Sequence, residues 1–335
     1  MAEKDGAKMP WVEKYRPDRI DDVAQQEEVV AALRNSLETG EMPNLMFYGP
    51  PGTGKTTVAL ALMKQFFGKD WRLRVKELNA SDERGISAVR EKVKTFAQLA
   101  VGNAGEGSLA GCKAKFRVII LDEADSMTHD AQAALRRIME EFVHVTRFII
   151  ICNYVSKIIG PLHSRCSKFR FQLVGGEFQK QRLLYICEQE KVKLAPGALD
   201  KVIELSNGDM RAGVQMLQTA VTFYEEVHPD ALVEVACAVP DKEVEKLITQ
   251  TREAATTDEV TRAVRDFLLE GYSGQQVMER LLELLTRDSS LPDLAKAKSA
   301  LLFSQVDERL TQGCDEELQL VFLFSHLRPL LQQRA

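Results

Sequence analysis

No apolar run in this 335-residue chain approaches the roughly 20 residues that a membrane-crossing helix needs, so a helical membrane protein is excluded. The first residues, Met-Ala-Glu-Lys-Asp-Gly-Ala-Lys, are polar and charged rather than apolar, which argues against a secretory signal; a soluble intracellular protein is expected. Cysteine is sparse and unorganised. The six residues (Cys112, Cys152, Cys166, Cys187, Cys237, Cys314) include no C-x-x-C pair and no Cys/His cluster at metal spacing, so they read as reduced packing residues. A basic excess is also missing: 44 Lys and Arg face 49 Asp and Glu, for a net charge of −5. Any contact with DNA must then come from a local basic patch. There is no internal repeat at a fixed period. What is present is an ordinary globular composition, 45% hydrophobic and 28% charged, over a length that allows two or three domains.

The strongest local signal is Gly49-Pro-Pro-Gly-Thr-Gly-Lys55-Thr56, directly behind the apolar run Leu45 to Tyr48. It is a complete G-x-x-x-x-G-K-[ST] phosphate-binding loop in strand-to-helix context. The loop residues Gly49, Pro50, Pro51, Gly52, Thr53 and Gly54 would bring backbone amides to phosphates, with Thr57 in the following turn. Lys55 would supply a point charge to the β- and γ-phosphates, and the Thr56 hydroxyl can ligate Mg²⁺. About 70 residues on, Val118-Ile-Ile-Leu-Asp122-Glu123-Ala-Asp125 is an apolar run ending in acids. In a parallel sheet such a run is a buried strand with its acids at the ligand-binding edge. Asp122 is then placed to hold Mg²⁺ and Glu123 to polarise water as a general base. Asp125 reads as an N-terminal helix acid.

Further short apolar runs (Arg74 to Leu78, Phe116 to Leu121, Arg147 to Cys152, Lys168 to Leu173) alternate with helical patterns. The fold class expected is α/β, with a doubly wound parallel sheet. The sets Ile86, Val89, Val93, Phe96, Ala100 and Ala131, Ala134, Leu135, Ile138, Met139, Phe142 each fall on one helical face. Residues 101–115, Gly- and Ala-rich, read as a loop. After Leu173 strand signals stop and Gly175-Gly176 suggests a break. Helical patterns then run to the end, with a second boundary near Ala238-Val-Pro240. Three domains are expected: α/β over 1–173, a small helical domain over 174–236 and a larger one over 237–335.

These features resemble the AAA+ ATPases and, more closely, the small subunits of replication factor C, the sliding-clamp loader. The resemblance is carried by Trp11-Val-Glu-Lys-Tyr-Arg16-Pro17, the phosphate loop, Glu77 to Gly85, Leu121 to Asp125, and Gln132 to Arg137. Ile151-Cys-Asn153-Tyr154, Ser164-Arg165-Cys166 and Gly208-Asp-Met-Arg211 complete it. The details look most like the fourth-subunit type of animals, while archaeal small subunits share nearly all these motifs. The resemblance implies an AAA+ P-loop module, a helical lid and a C-terminal helical collar.

It also implies ATP and Mg²⁺ as cofactors, with Asn153 as a first sensor and Arg211 as a second sensor reaching in from the lid. Val12 and Arg16 would lie over the adenine; Trp11 and Tyr15 could equally be packing residues. Arg165 would act as an arginine finger on the neighbouring subunit's nucleotide. The implied partners are other loader subunits in a hetero-pentamer, the sliding clamp and primer-template DNA, with no membrane. The implied setting is DNA replication and repair in the nucleus, with ATPase activity stimulated by DNA and clamp. For DNA phosphates the candidates are Arg84, Arg90 and Lys94, although a solvated helix face would look the same. A second reading is a nucleotide-binding scaffold subunit that lends Arg165 without important hydrolysis of its own.

Overall fold

Leu45–Tyr48 (β1), Val75–Asn79 (β2), Arg117–Asp122 (β3), Thr146–Cys152 (β4) and Ser167–Arg170 (β5) form one parallel sheet in the order β2-β3-β4-β1-β5. This is a computed structural model, and it describes residues 9–22, 26–81, 93–96 and 116–332. Because side chains alternate along a strand, the three central strands divide their apolar residues between two cores. Phe47, Ile120 and Ile149 face one core, shared with Glu27–Thr39 (α2) and Lys55–Phe67 (α3). Met46, Ile119 and Ile150 face the other, shared with His129–Glu141 (α5), whose Ala131, Leu135, Ile138 and Met139 are buried as their spacing predicts. Burial on both faces is why these strands read as continuous apolar runs.

β1 keeps the bounds expected from the sequence; β2 and β3 run one residue later, β4 and β5 start one residue earlier, and β5 also stops three residues short. Arg74 belongs to a short helix, Trp71–Arg74 (α4), so β2 starts one residue later. β5 stops at Arg170, not Leu173, because its partner β1 ends at Tyr48 and the chain turns away at Gly49. Phe171 N still donates to Tyr48 O at 2.8 Å, but Val174 N already donates to Gly208 O. The pattern also passed over Trp11–Lys14 (α1) and α2. Gly160–His163 (α6) joins β4 to β5.

The lid consists of Gly176–Glu190 (α7), Ala198–Ser206 (α8) and Met210–Phe223 (α9), with Gly176 opening α7. Lid and sheet fall in one compact unit, residues 1–227. The second unit, residues 228–335, is helical throughout its described length: Pro229–Val235 (α10), Asp241–Glu253 (α11), Thr257–Leu268 (α12), Gly274–Arg287 (α13), Asp293–Thr311 (α14) and Glu316–Leu331 (α15). Its core centres on Val244, Val260, Leu281, Leu323 and Phe324. This unit begins just ahead of α10, which Pro229 opens at its first turn. Among the described residues no helix is long and apolar enough to cross a membrane. The helix expected from Ile86 is described only over 93–96. The loop 101–115, with Cys112, lies outside the described residues.

Candidate active site

The parallel register brings three strand ends to one edge. Tyr48 of β1 pairs with Cys152 of β4, and Leu121 of β3 with Ile150 of β4, so the residues that follow each strand emerge side by side. The phosphate loop follows β1, Asp122 ends β3 with Glu123 next, and Asn153 follows β4. Pro51 to Thr57, Asp122, Glu123 and Asn153 line one open cleft enclosing about 1150 Å³ of space, solvent included, whereas Gly49 and Pro50 are not among its lining residues.

The loop is held by backbone geometry. Gly49, Gly52 and Gly54 all have positive φ, and at two of them a side chain has no room. A Cβ on Gly49 would lie 2.2 Å from Phe171 O, and one on Gly52 would lie 1.8 Å from Asp209 Oδ1. Gly54 precedes α3 in the left-handed region and offers no side-chain cap, which leaves the first-turn amides of a 13-residue helix for an anion.

Lys55 is buried, and its Nζ donates to Gly49 O at 2.8 Å and Pro50 O at 2.7 Å. Burial lowers its pKa from the ordinary lysine value, while Asp122 pulls the other way. Thr56 Oγ1 donates to Asp122 Oδ2 at 2.7 Å. A hydroxyl and a carboxylate oxygen in contact, beside a phosphate loop, are the donor set Mg²⁺ takes from protein when phosphates supply further oxygens. The residues present therefore fit that ion. Glu123 is exposed and sits at φ 53, a left-handed conformation that is uncommon for a non-glycine residue. Its amide donates to Asp122 Oδ1 at 2.9 Å. Asp125 accepts from Tyr154 N at 3.3 Å, which braces the segment around Asn153.

The lid closes one side. Asp209 caps α9 by accepting from Ala212 N at 2.9 Å, and Met210 N donates to Gly52 O at 3.3 Å. Arg211, next in the chain, lines the cleft. Trp11, Val12, Tyr15, Arg16 and Pro17 form a further wall of the cleft, together with Arg182 and Ile186 of α7. Arg182 escaped the sequence reading. Its only local signal is a helical spacing of four from Ile186, and its role comes from a partner 167 residues away, the Tyr15 carbonyl.

Other candidates lie elsewhere. Arg165 is not among the cleft's lining residues; its Nη1 donates to Pro161 O at 2.8 Å and its Nη2 pairs with Glu140. Lys94 pairs with Glu141 at 4.0 Å, away from the cleft lining. Arg84 and Arg90 lie outside the described residues.

Comparison with known proteins agrees with this architecture. Residues 45–173 match the ATPase family associated with various cellular activities, residues 181–222 an RCF1/5-like AAA+ ATPase lid domain, and residues 239–326 the replication factor C C-terminal domain. Replication factor C subunit 4 of Arabidopsis thaliana is 46% identical, covering 97% of this chain and 96% of its own length. The human protein of the same name is 45% identical, over 98% and 90%. Replication factor C small subunit 1 of Pyrobaculum arsenaticum is 44% identical, over 96% and 94%. Among solved structures, the RuvB Holliday junction branch migration motor of Thermotoga maritima shares the fold, with a TM-score of 0.51 at 15% identity over 77% of this chain and 91% of its own. With near-full-length identity at this level and the lid and C-terminal models both matched, the chain belongs to the replication factor C family of AAA+ ATPases.

Proposed function

We propose that this chain is an ATPase subunit of a clamp loader, working in a hetero-pentamer that opens a sliding clamp and places it on primer-template DNA during replication and repair in the nucleus. The observation that carries the reading is the single cleft that gathers the phosphate loop, the Thr56–Asp122 pair, Glu123, Asn153 and Arg211. Loop amides and Lys55 bind the phosphates of ATP. Thr56 and Asp122 would hold Mg²⁺, which offsets phosphate charge when bound. Glu123 polarises the attacking water, Asn153 orients it, and Arg211 brings the lid onto the nucleotide. Val12 and Arg16 cover the base. Arg165 serves the neighbouring subunit's site, an assignment supported by its place outside the cleft lining.

The division into a nucleotide-binding domain over 1–173, a lid over 174–236 and a collar over 237–335 belongs to the same proposal. So do DNA-phosphate contacts by Arg84, Arg90 and Lys94, and stimulation of the ATPase by DNA and clamp. A scaffold subunit that binds nucleotide without hydrolysing it is not favoured, since every group that hydrolysis needs from this chain lines the cleft. The test is turnover by the assembled loader carrying Lys55→Ala or Glu123→Gln in this chain alone. We expect a loss of DNA-stimulated ATPase and of clamp loading; unchanged values for both would remove the catalytic reading and leave the scaffold.

A further inference from the structure

The wall formed by Trp11 to Pro17 has little to hold it in place by itself. α1 is four residues long, shorter than any helix that is stable alone, and none of its residues is buried. Its position is instead set by ties at both ends. Beyond Pro17 the chain is fixed to α3, the helix that begins at Lys55. Asp18 pairs with Lys64 at 2.6 Å, Ile20 N donates to Gln65 Oε1 at 3.3 Å, and the Ile20 side chain is buried in the core.

The other end is fixed to the lid. Trp11 N donates to Gln218 Oε1 at 3.0 Å on α9. Glu190, the last residue of α7, accepts from Lys14 Nζ at 2.7 Å and from the Tyr15 hydroxyl at 2.5 Å on the same oxygen. Arg182 Nη2 donates to the Tyr15 carbonyl at 2.7 Å, and the Tyr15 ring stands edge-on to Tyr185 at 6.2 Å. Burial disfavours the Glu190 carboxylate, but the Lys14 and Tyr15 hydrogen bonds outweigh it and hold the group below its ordinary value. Bonds to a charged acceptor are the stronger kind, and two converge here on a residue that does not itself line the cleft.

We propose that Glu190 and Arg182 are positioning residues for the nucleotide: they clamp the segment Trp11 to Pro17 to the lid, so that the base-side wall and the lid move together and nucleotide leaves only when both swing away. This rests on the reading of the cleft as an ATP site with that segment over the base. Its consequence is kinetic. Loosening the clamp opens a side exit while the phosphate loop, Asp122 and Glu123 keep their geometry, so nucleotide release is affected more than any step at the γ-phosphate.

The experiment is stopped-flow release of a fluorescent ATP analogue from the purified full-length chain, with urea unfolding of each variant as a control on folding. Glu190→Ala and Arg182→Ala are each expected to speed release by about tenfold or more, the effect of losing at least one charge-assisted hydrogen bond. Glu190→Gln and Arg182→Lys, which keep an acceptor for Tyr15 Oη and a donor for the Tyr15 carbonyl, are expected to recover part of the loss. A purely structural role would shift the urea midpoint instead and leave release near wild type. Lys55→Ala separates the two levels of the argument. If it abolishes binding while release in both alanine variants stays within about 1.5-fold of wild type, the clamp is overturned alone. If Lys55→Ala binds normally, the nucleotide-site reading itself falls.

Discussion

At Lys55 two influences act on one ammonium in opposite directions. Burial disfavours the charge, Asp122 favours it, and burial prevails, so the pKa lies below the ordinary lysine value. Bound phosphates favour the ammonium and raise that pKa again. When a ligand prefers the protonated form, its affinity is full below the free-state pKa and falls as pH rises through it. Nucleotide affinity should therefore weaken on the alkaline side, starting below the pH at which an ordinary lysine titrates. A fluorescence titration between about pH 7 and pH 10 checks this against Lys55→Arg, whose guanidinium stays charged throughout that range. A flat wild-type profile, or one that tracks the arginine variant, would contradict the assignment. At the same scale, Gly52 shows how a loop residue can be read from sequence for only part of its reason. The motif states that glycine is needed; that Asp209 of the lid occupies the space of its missing Cβ emerges only in the fold.

Among the elements, legibility followed length and two-sided burial. β1, β3 and β4 were evident because both faces of each strand are packed, and α5 because five buried residues repeat on one face. α1 was not, since four residues cannot display a helical period and its position depends on Gln218, Glu190 and Arg182, far along the chain. Gln132 falls between these cases. The motif containing it was seen, yet its environment was not: it is buried, its Nε2 donates to Met127 O at 3.2 Å and Lys157 O at 3.0 Å, and its Oε1 accepts from Ile159 N at 2.8 Å. One side chain thus fastens α5 to the segment that leads into α6. Replacing it by leucine keeps the volume but strands three backbone groups. Chemical denaturation of Gln132→Leu should show a loss of about 2–4 kcal/mol, since a buried group left unpaired costs about 1–3 kcal/mol and partial relaxation will recover some of it. A loss below about 0.5 kcal/mol, the range of surface substitutions, would mean that water or a shifted backbone replaces those bonds.

For the molecule as a whole, the question is whether one chain completes its own catalytic site. The cleft collects the phosphate loop, the Thr56–Asp122 pair, Glu123 and Arg211 of the lid, whereas Arg165 sits on Glu140 and the Pro161 carbonyl and takes no part in lining it. Two of its five N–H donors are engaged there, and its side chain remains 33% exposed. Arg136 and Arg165 together keep the Glu140 carboxyl below its ordinary value, so this acid stays charged and available to hold the guanidinium near neutral pH. That contact would orient an arginine for use outside the chain without withdrawing it from solvent. Arg165→Ala should then leave this chain's own ATP affinity within about twofold while hydrolysis at the adjacent subunit falls by about 10³-fold, the usual worth of an arginine supplied in trans. The measurement is single-turnover hydrolysis in an assembled loader in which only the adjacent site is left competent, with nucleotide binding to this chain followed separately. Loss of binding at this chain's own site with normal turnover next door would place Arg165 in its own cleft after all, and the chain would need no neighbour to complete its chemistry.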